Sequence, residues 1–303
     1  MRKIEDKYVF VYSRKTLEGE FGLPSSNYTL AYAYGDTPFG PWTYGGTLID
    51  GRARGKDTAG KTIATAVPYG NTHGGLAEIG EQWWVFYHRQ TGTNEYSRQA
   101  MVAPVKVSVQ KGKGGKVTIS EGEYTSEGFQ TNGLNPLKKT PAGLACYLIN
   151  PDGVAQNYPD FLFSGSYVRA TRVNESHEGL LSQREPFCPV VNNTSGSVVG
   201  YKYFNFDVLS GGKRVSLLMD IVPQGIDGTI TVFVGAPSAS QGGKQIASFV
   251  VSSSDQEKMT KRTTSCQNLS GVSGKQPLFF VFSSKERGKS ICEMYDFQFC
   301  IAK

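Results

Sequence analysis

Histidine is scarce in this sequence, with 3 residues among 303, and no two cysteines stand in a Cys-x-x-Cys pair. A zinc ribbon or a multi-histidine metal centre is therefore not expected. No run approaches the ~18 apolar residues of a membrane-spanning helix, so no transmembrane span is expected. The opening Met1 to Tyr8 (MRKIEDKY) has no apolar stretch after its basic residues, and no signal peptide is read there. Helical periodicity of the i, i+3, i+4 kind is missing throughout. So are a basic helix and a basic stripe interleaved with aromatics, which argues against nucleic acid as a partner. The five cysteines, Cys146, Cys188, Cys266, Cys292 and Cys300, are odd in number, so at least one is unpaired within the chain. Buried, reduced thiols are the preferred reading.

Glycine (36), tyrosine (16) and phenylalanine (17) are plentiful. Together they favour many short strands joined by tight turns. Alternating segments occur at 8–13, 28–34, 42–49, 76–79, 83–88, 98–109 and 116–123. Between them, 18–26, 35–42 and 50–62 read as loops. Strands about ten residues apart indicate a barrel, sandwich or propeller. Gly, Pro and Asn cluster between Gly128 and Ala145. Beyond that cluster, strands at 200–206, 214–222, 229–234, 245–251, 277–282 and 292–300 suit one antiparallel sandwich. The expected division is 1–127, a linker at 128–144, and 145–303, in line with two domains for this length. The net charge of +6 is scattered. Its densest run, Lys111 to Lys116 (KGKGGK), reads as a solvated hairpin tip. Asn-x-Ser/Thr triplets at Asn27, Asn174, Asn192, Asn193 and Asn268 carry meaning only in a eukaryotic host.

Three segments taken together resemble glycoside hydrolase family 43, in the same order. They are MRKIEDKYVFVYS at 1–13, AYAYGDTPFGPW at 31–42, and GNTHGGLAEIGEQWWVFYHRQTGTNEYSR at 70–98 followed by QAMVAPV. That family comprises arabinofuranosidases, xylosidases and arabinanases on five-bladed β-propellers. The resemblance implies an all-β chain: the last two or so blades of a propeller, then a C-terminal jelly-roll-like β-sandwich. It implies that His73, in the G-x-x-H motif, lies near a central cation such as Ca2+; the residues alone favour a loop histidine bonded to backbone. It makes Arg98 a candidate substrate contact, although a surface ion pair serves as well. His88, ending the strand WWVFYH, reads as structural, and His177 is assigned nothing.

The same resemblance implies inverting hydrolysis. There, one carboxylate activates water and a carboxylic acid protonates the leaving oxygen, the two standing about 6.5–9.5 Å apart. In the family, the base and modulator Asp and the acid Glu precede the segment that corresponds to Met1 here. The expectation is a chain that begins after its general acid and is inactive alone. Glu5, Asp6, Asp36, Glu78 and Glu81 read as ordinary solvated carboxylates, and no catalytic residue is nominated. Open blade edges favour missing N-terminal blades or self-association.

Residues 145–303 resemble a family 6 carbohydrate-binding module, through VGYKYFNF at 199–206, DIVPQGIDGTITVFVG at 220–235, LFFVFSS at 278–284 and MYDFQF at 294–299. Tyr201, Tyr203 and Tyr295 are candidate sugar platforms, although alternating aromatics in strands also build cores. Glu293 stands where the module family has an Asn. Asp296 corresponds to a possible structural Ca2+ ligand. The implied substrates are plant cell-wall pentosans (xylan, arabinoxylan, arabinan) cleaved by an α-L-arabinofuranosidase or β-xylosidase, in a bacterium, either secreted or cytoplasmic. A non-catalytic sugar-binding protein and a half-propeller that assembles with a partner remain as alternatives.

Overall fold

The structure, a computed structural model, describes residues 1–66, 72–91, 98–151, 165–169, 188–212 and 214–302. The chain is all-β, and it divides into two compact units: Met1–Gln90 with Arg98–Thr131, and Asn132–Lys303.

The first unit is the partial propeller. Strands β1 (Arg2–Ile4), β2 (Lys7–Arg14), β3 (Thr29–Gly35) and β4 (Thr43–Asp50) form an antiparallel meander in sequence order, the form of one blade. A hairpin follows, of β5 (Arg54–Lys56) and β6 (Thr62–Ala64). The second meander is β7 (Gly75–Ile79), β8 (Gln82–Gln90) and β9 (Arg98–Val105), and a second hairpin pairs β10 (Val107–Val109) with β11 (Val117–Ile119). Two buried tyrosines fasten these pieces. Tyr28 Oη donates to the His88 carbonyl (3.1 Å) and accepts the Gln90 N–H (2.8 Å), tying the first blade to β8. Tyr32 Oη accepts the Ile119 N–H at 2.9 Å and so holds β11. Gly45 is what lets the Tyr32 ring lie flat on β4, since a Cβ there would sit 2.0 Å from the ring. All three tryptophans of the chain, Trp42, Trp83 and Trp84, belong to this unit.

The outer face of the first blade is aromatic. Phe10 and Tyr12 stand opposite Ala33 and Ala31, and Tyr44 flanks Ala33 from the other side. Phe10 stacks on Tyr12 (centroids 5.7 Å apart) and meets Trp42 at 5.9 Å. Phe10 stays 42% exposed and Tyr44 52% exposed. These rings adjoin one another instead of standing singly.

The second unit is a sandwich. One sheet runs β14 (Tyr167–Val168), β15 (Val190–Asn193), β22 (Cys292–Ile301), β17 (Val215–Pro223), β20 (Thr260–Ser265), with β12 (Thr140–Pro141) also on β22. The other runs β13 (Tyr147–Ile149), β16 (Val198–Asn205), β21 (Lys275–Ser283), β18 (Gly228–Val234), β19 (Lys244–Val251). Strict alternation in β17 (VSLLMDIVP) sends Leu217, Met219 and Ile221 inward, against Tyr201, Phe204, Phe280, Phe297 and Phe299. The Tyr201–Phe297 and Phe280–Phe297 ring pairs, both 4.8 Å between centroids, mark the centre of this core.

Three local expectations change, and a fourth, the exposed hairpin tip, gains an anchor. The loop at 50–62 contains β5 and reaches into β6. The strand at 98–109 breaks at Lys106, whose N–H is taken by Ser120 Oγ (2.9 Å). From residue 132, the stretch read as a linker is strapped to the sandwich: Leu134 N–H reaches the Tyr203 carbonyl, Phe299 N–H the Pro136 carbonyl, and β12 pairs with β22. The Lys111–Lys116 tip is anchored, because Gly112 N–H donates to Asp6 (2.7 Å) and Gly114 N–H to Asp36 (2.9 Å), while buried Lys7 contacts Asp36 and the Gly112 carbonyl. All five cysteines are free, Cys146 and Cys292 buried and the others half-buried.

Candidate functional site

In the first unit, the structure brings His73 and His88 together. His88 lies in β8 among aromatics, and its Nε2 accepts the His73 backbone N–H at 3.1 Å; His73 Nδ1 lies 3.3 Å from the same atom. With Nε2 an acceptor, the neutral His88 carries its proton on Nδ1, which is buried with no hydrogen-bond partner among the described residues. Burial, then the Arg98 charge, then His73 push His88 down to about 4, so it is neutral near pH 7. Arg98 opens β9 and is exposed. Its charge reaches His88, and that places two of the expected residues in one neighbourhood.

This donor set does not fit Ca2+, which takes six to eight oxygen ligands. The pair offers imidazole nitrogens, one of them already engaged by an N–H. No group of three or more His, Cys, Asp or Glu that could hold a metal occurs among the described residues.

Several described carboxylates of the first unit are committed to structure. Asp50 takes both ends of the Arg52 guanidinium (2.8 and 2.7 Å) with both residues buried, and Arg54 Nε adds a contact at 3.1 Å. Glu20 is bidentate to Arg14, at 2.7 and 2.9 Å. Glu5 pairs with Lys111 and Glu121 with Arg54. Asp36 and Glu20 are held below the usual carboxylate range, chiefly by Lys7 and by Arg14 respectively. A general acid needs a shift in the opposite direction. Glu78 and Glu81 are exposed, as expected of them.

In the second unit, the three tyrosine candidates part company. Tyr201 is 0% exposed, its ring enclosed by Phe204, Phe280 and Phe297 and its hydroxyl donated to the Ala142 carbonyl at 2.9 Å. It is core and cannot be a platform. Tyr203 is half-buried beneath the Lys275 ammonium, 4.8 Å from the ring centroid. Tyr295 belongs to a polar cluster on the outer side of its sheet. Arg169, just after β14, forks onto Glu293 (2.6 and 2.9 Å), and Tyr295 Oη donates to Glu293 at 3.0 Å. Tyr167 lies within electrostatic reach of both charges. Burial, reinforced by Glu293, raises the Tyr295 phenol. A bulge makes this cluster: Asp220 pairs with Asp296 and Ile221 with Met294, so Tyr295 is the extra residue of β22. Two phenols beside a fixed guanidinium–carboxylate fork offer ring faces, donors and acceptors, the means of holding a polyhydroxyl ligand. Sequence reading missed Arg169 and Tyr167, since Arg169 lies 124 positions from Glu293.

Asp296 is paired with a side chain. Lys139 Nζ lies 2.9 Å from it and 3.2 Å from Asp220. Two carboxylates and an ammonium do not make a Ca2+ site. His177 and Asn174 lie outside the described residues.

No family profile matches the chain. Over 205 residues it is 27% identical to a protein of Thermoclostridium stercorarium named xylosidase/arabinosidase, taking in 68% of this chain and 39% of that one. The chain thus spans well under half of that relative's length. Among solved structures, it is similar to a family 43 arabinoxylan arabinofuranohydrolase from Bacillus subtilis in complex with cellotetraose (19% identity, 99% of this chain and 53% of that one, TM-score 0.49). It is also similar to a family 6 carbohydrate-binding module from Clostridium cellulolyticum in complex with xylose (15% identity, 55% of this chain and 99% of that one, TM-score 0.37).

Proposed function

From the premise that this chain resembles the C-terminal part of a family 43 glycoside hydrolase followed by a carbohydrate-binding β-sandwich, we propose that it serves the breakdown of plant cell-wall pentosans. The reaction class is α-L-arabinofuranosidase or β-xylosidase, inverting, and the ligands are xylan, arabinoxylan or arabinan chains. One observation carries this reading. The first unit ends at residue 131, so the 205-residue alignment to a xylosidase/arabinosidase necessarily runs into the second unit. The similarity to that relative therefore spans both units of this chain.

In this proposal the residues divide the work. Arg98, with the neutral His88 behind it, lies at the sugar end of the blades. The Arg169–Glu293 fork with Tyr295 and Tyr167 holds the polymer on the sandwich. No described carboxylate of the first unit is assigned as acid or base, because those with resolved shifts are lowered and several others neutralise arginines or lysines. The aromatic face of Phe10, Tyr12, Trp42 and Tyr44 is proposed to receive a further blade of the same kind.

The test combines titration calorimetry with xylo- and arabinoxylo-oligosaccharides and assays on aryl α-L-arabinofuranoside and β-xyloside. Binding should be seen, and should weaken at least tenfold in Arg169→Ala. No heat with any of these ligands would overturn the reading. A second reading, a sugar-binding protein without hydrolysis, is favoured by the same engaged carboxylates. Turnover by the purified chain, abolished by substituting one of its own acids, would remove it.

A further inference from the structure

The acid pair on the sandwich points past sugar binding to how that unit is held together. Asp220 of β17 and Asp296 of β22 are direct partners across two hydrogen-bonded strands. Like charges in that relation destabilise a sheet. Here they are also largely withdrawn from water, their side chains only 15% and 12% exposed. The bulge at Tyr295 enforces the arrangement. It turns Asp296 out of the alternation that carries Met294 and Phe297 into the core, and sets it beside Asp220.

Two carboxylates so placed either share a proton or need a positive neighbour. The resemblance to calcium-holding modules suggests a divalent ion at Asp296, but the described residues supply no third acidic, histidine or cysteine ligand. They supply Lys139. It immediately precedes β12, whose pairing with β22 places Pro141 opposite Asp296, so the backbone delivers the lysine to this spot. Its ammonium meets both acids, at 2.9 and 3.2 Å. Lys261 of β20 stands opposite Asp220 on the far side, but it is exposed, and among the described residues no ion pair joins it to Asp296.

We infer that Lys139 is the built-in cation of the sandwich: its ammonium neutralises the Asp220–Asp296 pair in place of a structural metal ion, and the unit folds without Ca2+. Burial raises the Asp296 carboxyl and Asp220 raises it further, while Lys139 opposes both, as this role requires. The ammonium is itself about half exposed, so its effect is moderate and sensitive to salt.

The experiment is calorimetric unfolding of the full chain with millimolar CaCl2 or with EDTA. The wild-type transitions should be the same in both. Lys139→Met should lower one transition by about 2–4 °C. Adding Asp220→Asn to Lys139→Met should recover most of that loss, because the uncompensated repulsion goes with the charge. A wild-type transition raised by Ca2+, a Lys139→Met protein as stable as wild type, or a double variant no more stable than the single one would each overturn the inference. If Lys139→Met does not fold, the double variant decides, since it should fold.

Discussion

Asp50 and Arg52 illustrate how much one residue pair can decide. Both lie buried at the end of β4, with Arg52 also donating to the Pro24 carbonyl at 2.8 Å. Removing one member of a buried pair strands the other charge in low dielectric. Asp50→Ala should therefore cost the first unit about 3–5 kcal/mol, read as a lower urea midpoint by far-UV circular dichroism. His88 gives a different signature. Its depressed value means that the folded state prefers the neutral ring. The stability this contributes is complete above the ordinary histidine value of about 6.5 and is lost as pH falls toward about 4. His88→Gln should flatten the decline of first-unit melting temperature as pH falls from 6.5 to about 4. An unchanged slope would show that carboxylates alone govern it.

At the scale of elements, alternation was legible where one face of a strand is buried. β2, β17, β18 and β22 are visible for that reason. β5 and β6, three residues each, are too short to show a period, and they hide among charged and glycine residues. β20 (TKRTTS) is an edge strand with no apolar face to announce it. Alternation also cannot say which face is inside: Tyr201 and Tyr295 looked alike, and only the bulge and the sheet partners separate core from surface. The tip at 111–116 was expected to be solvated because its lysines are. Its glycine amides are held by acids more than seventy positions away. Asp36→Ala should speed hydrogen exchange at Gly114 while leaving β2 and β3 protected. Equal exchange in the two proteins would mean that the anchor carries no stability.

For the whole molecule, the all-β class and the propeller-then-sandwich order could be read from strand spacing together with three ordered motifs. The polar cluster could not, since it joins residues from opposite ends of the second unit. The aromatic blade face also acts at this scale. An unmatched apolar sheet face favours association, and Phe10→Ser with Tyr44→Ser should shift sedimentation toward the monomer. Calorimetry should resolve two transitions, Asp50→Ala moving one and Lys139→Met the other; a single transition moved by both variants would contradict this expectation. The confinement of Trp42, Trp83 and Trp84 to the first unit has a practical meaning. Excited selectively at tryptophan, the protein emits from its blades alone. The tryptophans are thus a built-in one-colour label by which ligand arriving at the blades can be followed without modifying the chain.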